Sequence, residues 1–181
     1  KNIADNFFQN IFHSREACYK SSSLAAALAR EHNSRLHILH LSTEEEVALL
    51  DEGPRKEKRI TGEVCVHHLW FNSKAYITKG SLVKWNPAIK AESDRKALLQ
   101  GLNEHRLDVV ATDHAPHSAE EKTRPLTDAP SVMVGLETAL AVALTYLYHT
   151  GEMALSDILR RMTINPACIL RLPTKGRLAI G

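Results

Sequence analysis

The sequence has few cysteines and no long apolar run, and each absence excludes a class of protein. Cys18, Cys65 and Cys168 are an odd number of thiols spread over 181 residues, which excludes a disulfide framework and zinc-finger spacing. No apolar stretch reaches the roughly 20 residues of a membrane-spanning helix, and no signal peptide is visible. We therefore expect a protein of the reducing cytoplasm.

An excess of charge of one sign is also missing. The 23 basic and 21 acidic residues leave a formal net charge of +2, which gives no reason to expect binding to nucleic acid or membranes. No P-loop, G-x-S-x-G elbow or H-E-x-x-H helix occurs. The composition, 44% hydrophobic and 24% charged, is typical of a globular domain, and the ten histidines are its outlier.

The spacing of apolar residues predicts strands that alternate with helices. Ser14 is expected to cap a helix to about residue 33, whose apolar face should carry Ala17, Leu24, Leu28 and Ala29. Thr43 opens a capping box whose helix should end near residue 53. Strands are predicted at 36–41, 60–66 and 108–112, and further helices at 93–105, 134–149, 156–162 and 165–172.

This alternation predicts an α/β fold with a parallel sheet. Three such units could form the last third of a (β/α)8 barrel. A Rossmann topology is the alternative, but no G-x-G-x-x-G follows a predicted strand. Residues 113–130 contain three prolines and should form a long irregular loop, a length that is often functional.

The densest group of reactive side chains is the segment 111–117, with the sequence ATDHAPH, where the third strand should end. In α/β barrels, catalytic groups collect at the carboxyl ends of the strands. Asp113 could bind a metal ion or move a proton there, with a neighbouring imidazole as a further ligand. The alternative is an ordinary turn in which Asp113 accepts hydrogen bonds from nearby backbone N–H groups.

Two histidine pairs follow the other strands. His37 and His40 should point to opposite faces, so only His40, nearer the carboxyl end, is a candidate ligand. His37 is then expected to face the helical layer or lie near the start of the strand, with its hydrogen bonds satisfied. His67 and His68, adjacent on an extended segment, should also point apart, as structural or supporting groups rather than ligands.

One more segment, 84–90, holds an asparagine fixed by a proline. The side-chain amide of Asn86 is both donor and acceptor, which suits the edge of an imide or amide, although the segment taken alone is also compatible with an ordinary loop. Cys65 is expected to be a core residue.

Taken in order, the segments 37–43, 63–69, 86–90 and 111–117 resemble the dihydroorotases of the amidohydrolase superfamily, and the resemblance covers nearly the whole chain. It implies a (β/α)8 metal-dependent hydrolase barrel, of which this chain holds about strands 6 to 8 with their flanking helices. It also implies one or two zinc ions and the reversible hydrolysis of L-dihydroorotate to N-carbamoyl-L-aspartate.

The resemblance also assigns roles to individual residues. His40 and Asp113 match metal ligands, and Asp113 also matches the group that passes a proton to the leaving amide nitrogen. The residues that match substrate-binding positions are Asn86, His117, Pro130 and Ser131. Val66 and Ala88 stand where the family commonly has proline, which loosens the assignment to a subfamily. Ser131 stands where the family often has glycine.

The family's other metal ligands would lie before residue 1, so we expect the chain alone to be inactive and the full-length protein to be active. Residues 1–172 are expected to belong to the barrel and 173–181 to begin the return to a small β domain. The partner implied is a small-molecule substrate, with no nucleic acid or membrane and a homodimer as the candidate assembly. The alternatives are an allantoinase or dihydropyrimidinase, and a non-catalytic dihydroorotase-like scaffold subunit.

Overall fold

Three parallel strands form the centre of the molecule. The computed structural model describes residues 14–132 and 134–180, with β1 at Leu36–Ile38, β2 at Ile60–Cys65 and β3 at Val109–Ala111. The strands are ordered β1-β2-β3; Ile38 pairs with Gly62, and Cys65 pairs with Ala111. The α/β class and the parallel sheet are therefore confirmed, as part of a barrel rather than a closed one.

Helices and turns connect and cover these strands. Two short 3₁₀ segments lie at Arg55–Glu57 and Gly80–Val83, and a π-helical turn at Leu144–Tyr148. The α-helices are α1 Arg15–Glu31, α2 Glu44–Val47, α3 Val66–Trp70, α4 Ala75–Lys79, α5 Glu92–Asn103, α6 Ala119–Lys122, α7 Ala139–Ala143, α8 Leu155–Met162 and α9 Ile164–Ile169.

The helix caps predicted at Ser14 and Thr43 are confirmed. The Ser14 hydroxyl accepts a hydrogen bond from the Ala17 N–H, and Thr43 and Glu46 form a reciprocal capping box at the start of α2. The predicted apolar face of α1 is wrong at Ala17, Leu24 and Leu28, which are exposed, whereas Ala29 is buried as predicted. The face of α1 that is buried carries the small residues Ser22, Ala26 and Ala29, which let the helix approach its neighbours closely.

The main core lies between the sheet and the helices. A Cβ atom added to Gly62 would come within 2.5 Å of the Leu41 and Leu50 side chains, so a larger residue would require these buried leucines to move. Val64, two residues along β2, packs in the same core. Because side chains alternate along a strand, Thr61, Glu63 and Cys65 point to the opposite face of the sheet.

Several element boundaries differ from the prediction. The strand predicted at 36–41 ends at Ile38, and the helix predicted to end near residue 53 ends at Val47. The loop predicted at 113–130 contains the short helix α6, and the helix predicted from 134 begins at Ala139. Residues 173–180 contain no helix or strand, and the predicted domain boundary at 172 stays a prediction. Within the described ranges, no helix is both long and apolar enough to cross a membrane.

Candidate active site

Two predicted site residues lie at corresponding places on the outer strands. His40 follows β1 and Asp113 follows β3, each two residues beyond the last strand residue, on either side of the central strand β2. Both have a left-handed backbone, with φ of 41° at His40 and 47° at Asp113. Histidine and aspartate are among the few non-glycine residues that adopt this conformation readily. The carboxyl edge of the sheet therefore carries an imidazole and a carboxylate, donors that fit a zinc-class ion.

Glu63 on β2 holds the backbone of His40. Its Oε1 accepts a hydrogen bond from the His40 N–H at 3.3 Å, and its Oε2 lies 3.2 Å from His37 Nε2. His37 Nδ1 lies 2.9 Å from the Thr61 hydroxyl, its register partner. His37 thus has satisfied ring nitrogens, as predicted, but it lies on the face opposite the helical core. Of the two positions expected for His37, the one facing the helices is wrong, because Thr61 and Glu63 point away from them. His37 is the second residue of β1, which agrees with the alternative position near the start of the strand.

His67 and His68 do not point apart. The chain leaves the extended conformation after Cys65 and enters α3, so both histidines are buried, with ring centroids 4.4 Å apart. Burial lowers the pKa of His67 well below its ordinary value, with further lowering by His68, His40 and Lys122. Burial also lowers the pKa of His68 to about 3. Both imidazoles are therefore neutral at neutral pH, the form that binds metals.

Cys65 lies close to both histidines and is also influenced by the charge of Asp113. The thiol is fully buried, which confirms the prediction of a core cysteine. Burial, followed by the carboxylates of Glu63 and Asp113, raises its pKa well above the ordinary value. One ligand atom from each of Cys65, His67 and His68 lies within 4.8 Å of the others. The sequence signal for this group was the run Cys-x-His-His, which was misread because the strand was extended one residue too far.

The Asn86 loop borders the same region. Trp85 is fully buried and its ring stacks on His67 at 4.3 Å, while the Pro87 carbonyl oxygen lies 3.0 Å from His68 Nε2. Asn86 itself is exposed, and together with His40 it lines a cavity of about 420 Å³. The structure therefore brings the predicted substrate residue Asn86 and the predicted ligand His40 to one cavity.

Two buried lysines, which the sequence analysis missed, fix the segment 126–132 beside this loop. Lys84 Nζ donates to the carbonyl oxygens of Leu126 at 2.6 Å and Ala129 at 2.7 Å. Lys122 Nζ donates to those of Lys84, Pro130 and Val132 at 2.8–3.1 Å. Pro130 is thus held through its backbone, and Ser131 lies half-buried next to it.

The remaining histidines of the 111–117 segment differ in their surroundings. His114 Nδ1 accepts hydrogen bonds from the Gly135 N–H at 3.1 Å and the Leu136 N–H at 3.3 Å, a structural role that orders the start of the next segment. His117 is half-buried near the start of α6. Among the described contacts, none joins His117 to Asn86 or Asp113, and its predicted substrate role stays a prediction.

The buried ammonium of Lys122 should make stability depend on pH. Burial, helped by Lys84, lowers the pKa of Lys122 from 10.5 to about 8 in the folded protein. Between these values the unfolded chain binds more protons, so this group's contribution to folding stability increases as pH rises from about 8 to 10.5. We expect the difference in free energy of unfolding between wild type and Lys122→Met to grow over that range, measured by urea denaturation of the full-length protein. The exposed Lys79→Met is the matched control, and a difference that is constant with pH would contradict the assignment.

The sequence is similar to that of known proteins. The sequence profile of the amidohydrolase family matches residues 13–181. A dihydroorotase of Anaplasma phagocytophilum (strain HZ) is 42% identical over 145 residues, which are 80% of this chain and 32% of that protein. One of Streptococcus pneumoniae serotype 4 is 39% identical over 168 residues, 92% of this chain and 40% of that protein. The chain thus spans about a third to two-fifths of these relatives.

Solved structures with the same fold carry different names. An L-hydantoinase (dihydropyrimidinase) from Arthrobacter aurescens superposes with a TM-score of 0.80 at 24% identity, over 90% of this chain and 37% of that one. A dihydropyrimidinase from Brevibacillus agri NCHU1002 gives a TM-score of 0.79 at 22% identity, with the same coverage. At this level of identity the likeness shows the fold alone.

Proposed function

Since this chain belongs to the amidohydrolase family, we propose that it forms part of a dihydroorotase, which interconverts L-dihydroorotate and N-carbamoyl-L-aspartate. The observation that carries the proposal is the placement of His40 and Asp113 just beyond the carboxyl ends of β1 and β3, the two strands that flank β2 in the parallel sheet. The named relatives that are about 40% identical to the chain are dihydroorotases, which favours this substrate over other cyclic amides.

His40 and Asp113 are proposed to bind zinc, together with ligands from elsewhere in the full-length protein. They supply one imidazole and one carboxylate, and catalytic zinc sites usually take three protein ligands. When bound, the ion would polarise the ring carbonyl and make a water molecule more acidic. Asp113 would accept the proton of the attacking water on a carboxylate oxygen and deliver it to the amide nitrogen that leaves.

Asn86 and His117 are proposed to hold the substrate. Dihydroorotate carries a ring imide and a carboxylate, and the exposed amide of Asn86 offers a donor and an acceptor beside the cavity that His40 lines. The backbone at Pro130 and Ser131, fixed through Lys122, is proposed to contact the ring.

A hydantoinase or dihydropyrimidinase is the second candidate, because the structures that superpose on the chain have those activities in their names. Hydantoin and dihydrouracil have a similar cyclic amide but lack the carboxylate of dihydroorotate. The two candidates therefore differ in whether the site must bind an anionic substrate.

A substrate panel on the purified full-length protein with zinc tests the proposal. We expect hydrolysis of L-dihydroorotate and at least about a hundredfold lower kcat/KM for hydantoin, dihydrouracil and allantoin, because a site built to bind a polar group rejects analogues that lack it. Preferential hydrolysis of one of the other rings would replace the proposed substrate. A folded, zinc-loaded protein with no activity on any of them would favour the scaffold alternative.

A further inference from the structure

The cluster of Cys65, His67 and His68 lies where β2 passes into α3, beside the residues proposed for catalysis. The three residues are 0%, 4% and 3% exposed, so solvent scarcely reaches them. Their candidate ligand atoms, the Cys65 Sγ and one ring nitrogen of each histidine, all lie within 4.8 Å of one another. Ligands around a tetrahedral zinc ion are somewhat closer together than this, so small side-chain shifts would bring these three donors to ligand positions and leave the fourth position to a water molecule.

Each histidine of the cluster has one buried ring nitrogen without a hydrogen-bond partner among the described residues. His68 Nε2 donates to the Pro87 carbonyl oxygen at 3.0 Å, while His68 Nδ1 is buried and has no hydrogen-bond partner among the described residues. His67 Nε2 is buried and likewise unpaired within the described chain. A histidine that donates one ring N–H to a backbone carbonyl and leaves the other nitrogen free has the arrangement usual for a metal ligand.

Charged groups of both signs surround the cluster. A divalent ion held by one thiolate and two neutral imidazoles has a net charge of +1. The carboxylates of Glu63 and Asp113 both act on Cys65 and would offset that charge. The ammonium groups of Lys90 and Lys122 act on the histidines and oppose it. Lys122 is held by three carbonyl oxygens, which disperse part of its charge.

We propose that Cys65, His67 and His68 bind one zinc-class divalent ion through the cysteine sulfur and one ring nitrogen of each histidine. The Cys65 thiol loses its proton on binding and the sulfur becomes a thiolate ligand, so one proton is released to solvent for each ion bound. The mixture of sulfur and imidazole donors favours zinc over magnesium or calcium, which prefer oxygen. The site is additional to His40 and Asp113 and does not depend on the reaction that the protein catalyses.

Cobalt is the probe that distinguishes this site from a catalytic one. The full-length protein is stripped with a chelator and titrated with Co²⁺ while the near-ultraviolet absorption of thiolate-to-cobalt charge transfer is recorded. Histidine and carboxylate ligands alone do not give this band. We expect the band in wild type and in the control variant Cys168→Ser, which changes an exposed cysteine. We expect Cys65→Ser to lose the band and to bind one equivalent of Co²⁺ fewer than wild type. A wild-type titration without the band overturns the proposal.

A second variant covers the case in which Cys65→Ser does not fold. His68→Asn retains the thiol but removes one nitrogen ligand, and we expect at least a tenfold weaker Co²⁺ affinity at the band. A band that persists unchanged in His68→Asn, or that is lost in Cys168→Ser, contradicts the assigned ligands. Hydrolysis of dihydroorotate is assayed separately, so a thiolate band without hydrolysis supports this site and counts against the proposed function, and the reverse result does the opposite.

Discussion

Replacing Asp113 with asparagine in the full-length protein should lower kcat for dihydroorotate hydrolysis by between about 10²- and 10⁴-fold, the range expected for loss of a general acid–base group. Asparagine has the same shape and also tolerates the left-handed backbone seen at this position, so the fold should be preserved. It has no carboxylate to accept the proton, and it is a weaker metal ligand. We expect KM to change much less than kcat.

The measurement is steady-state kinetics together with the zinc content of each preparation. The matched control is Asp51→Asn, which should retain full activity. Asp51 is exposed and interacts electrostatically with Lys58 at the opposite edge of the sheet. Zinc content separates the two roles of Asp113, because a variant that retains its zinc but loses activity has lost only the proton transfer. Undiminished activity in Asp113→Asn would rule out the proposed role.

The second large effect is expected at the amino-terminal edge of the strands, far from the proposed chemistry. Lys58 Nζ lies 3.1 Å from Asp108 Oδ1, and the side chains are only 2% and 3% exposed. Lys58 also donates to the carbonyl oxygens of His105 and Arg106, and Asp108 Oδ2 accepts from the Gly62 N–H at 3.3 Å. Burial is the largest influence on both groups, raising the pKa of Asp108 and lowering that of Lys58.

Asp108→Ala should therefore lower the free energy of unfolding by about 3–5 kcal/mol, because it leaves a buried ammonium without its counter-charge. The double variant Lys58→Met, Asp108→Leu should recover most of this loss, since it removes both charges. Glu52→Ala breaks the exposed ion pair with Arg106 and should cost no more than about 1 kcal/mol. Chemical denaturation of the full-length variants measures all three, and equal losses for Asp108→Ala and Glu52→Ala would contradict this account.

Local sequence patterns predicted the parts of the fold that depend on local chemistry. The capping residues Ser14 and Thr43 and the strand that ends before Asp113 are close to where the sequence placed them. The exposed faces of α1 and the turn of the chain at Cys65 were not predicted, because they depend on what each element packs against. A strand and a short helix cannot be told apart by apolar spacing over so few residues.

The candidate site was also predicted only in part. His40 and Asp113 stood out because each reactive side chain follows an apolar run that ends there. Lys84 and Lys122 were not predicted to be buried, since a lysine is normally exposed. The backbone carbonyls that accept from Lys84 lie 42 to 45 residues away in the sequence, and those that accept from Lys122 lie 8 to 38 residues away. The sequence shows Cys65, His67 and His68 as a run, but it did not predict that they form a cluster. The cluster forms because α3 begins directly after Cys65.

The left-handed backbone at His40 and Asp113 also limits how this edge of the sheet could change during evolution. A β-branched residue is strongly disfavoured at such a φ angle, and most other side chains are uncommon there. Of the residues that bind metals, histidine, aspartate and asparagine are the ones best suited to both requirements. Replacement of either ligand by cysteine or glutamate would require a different loop conformation. We therefore expect the residue types at positions 40 and 113 to change more slowly than those of the surrounding segments.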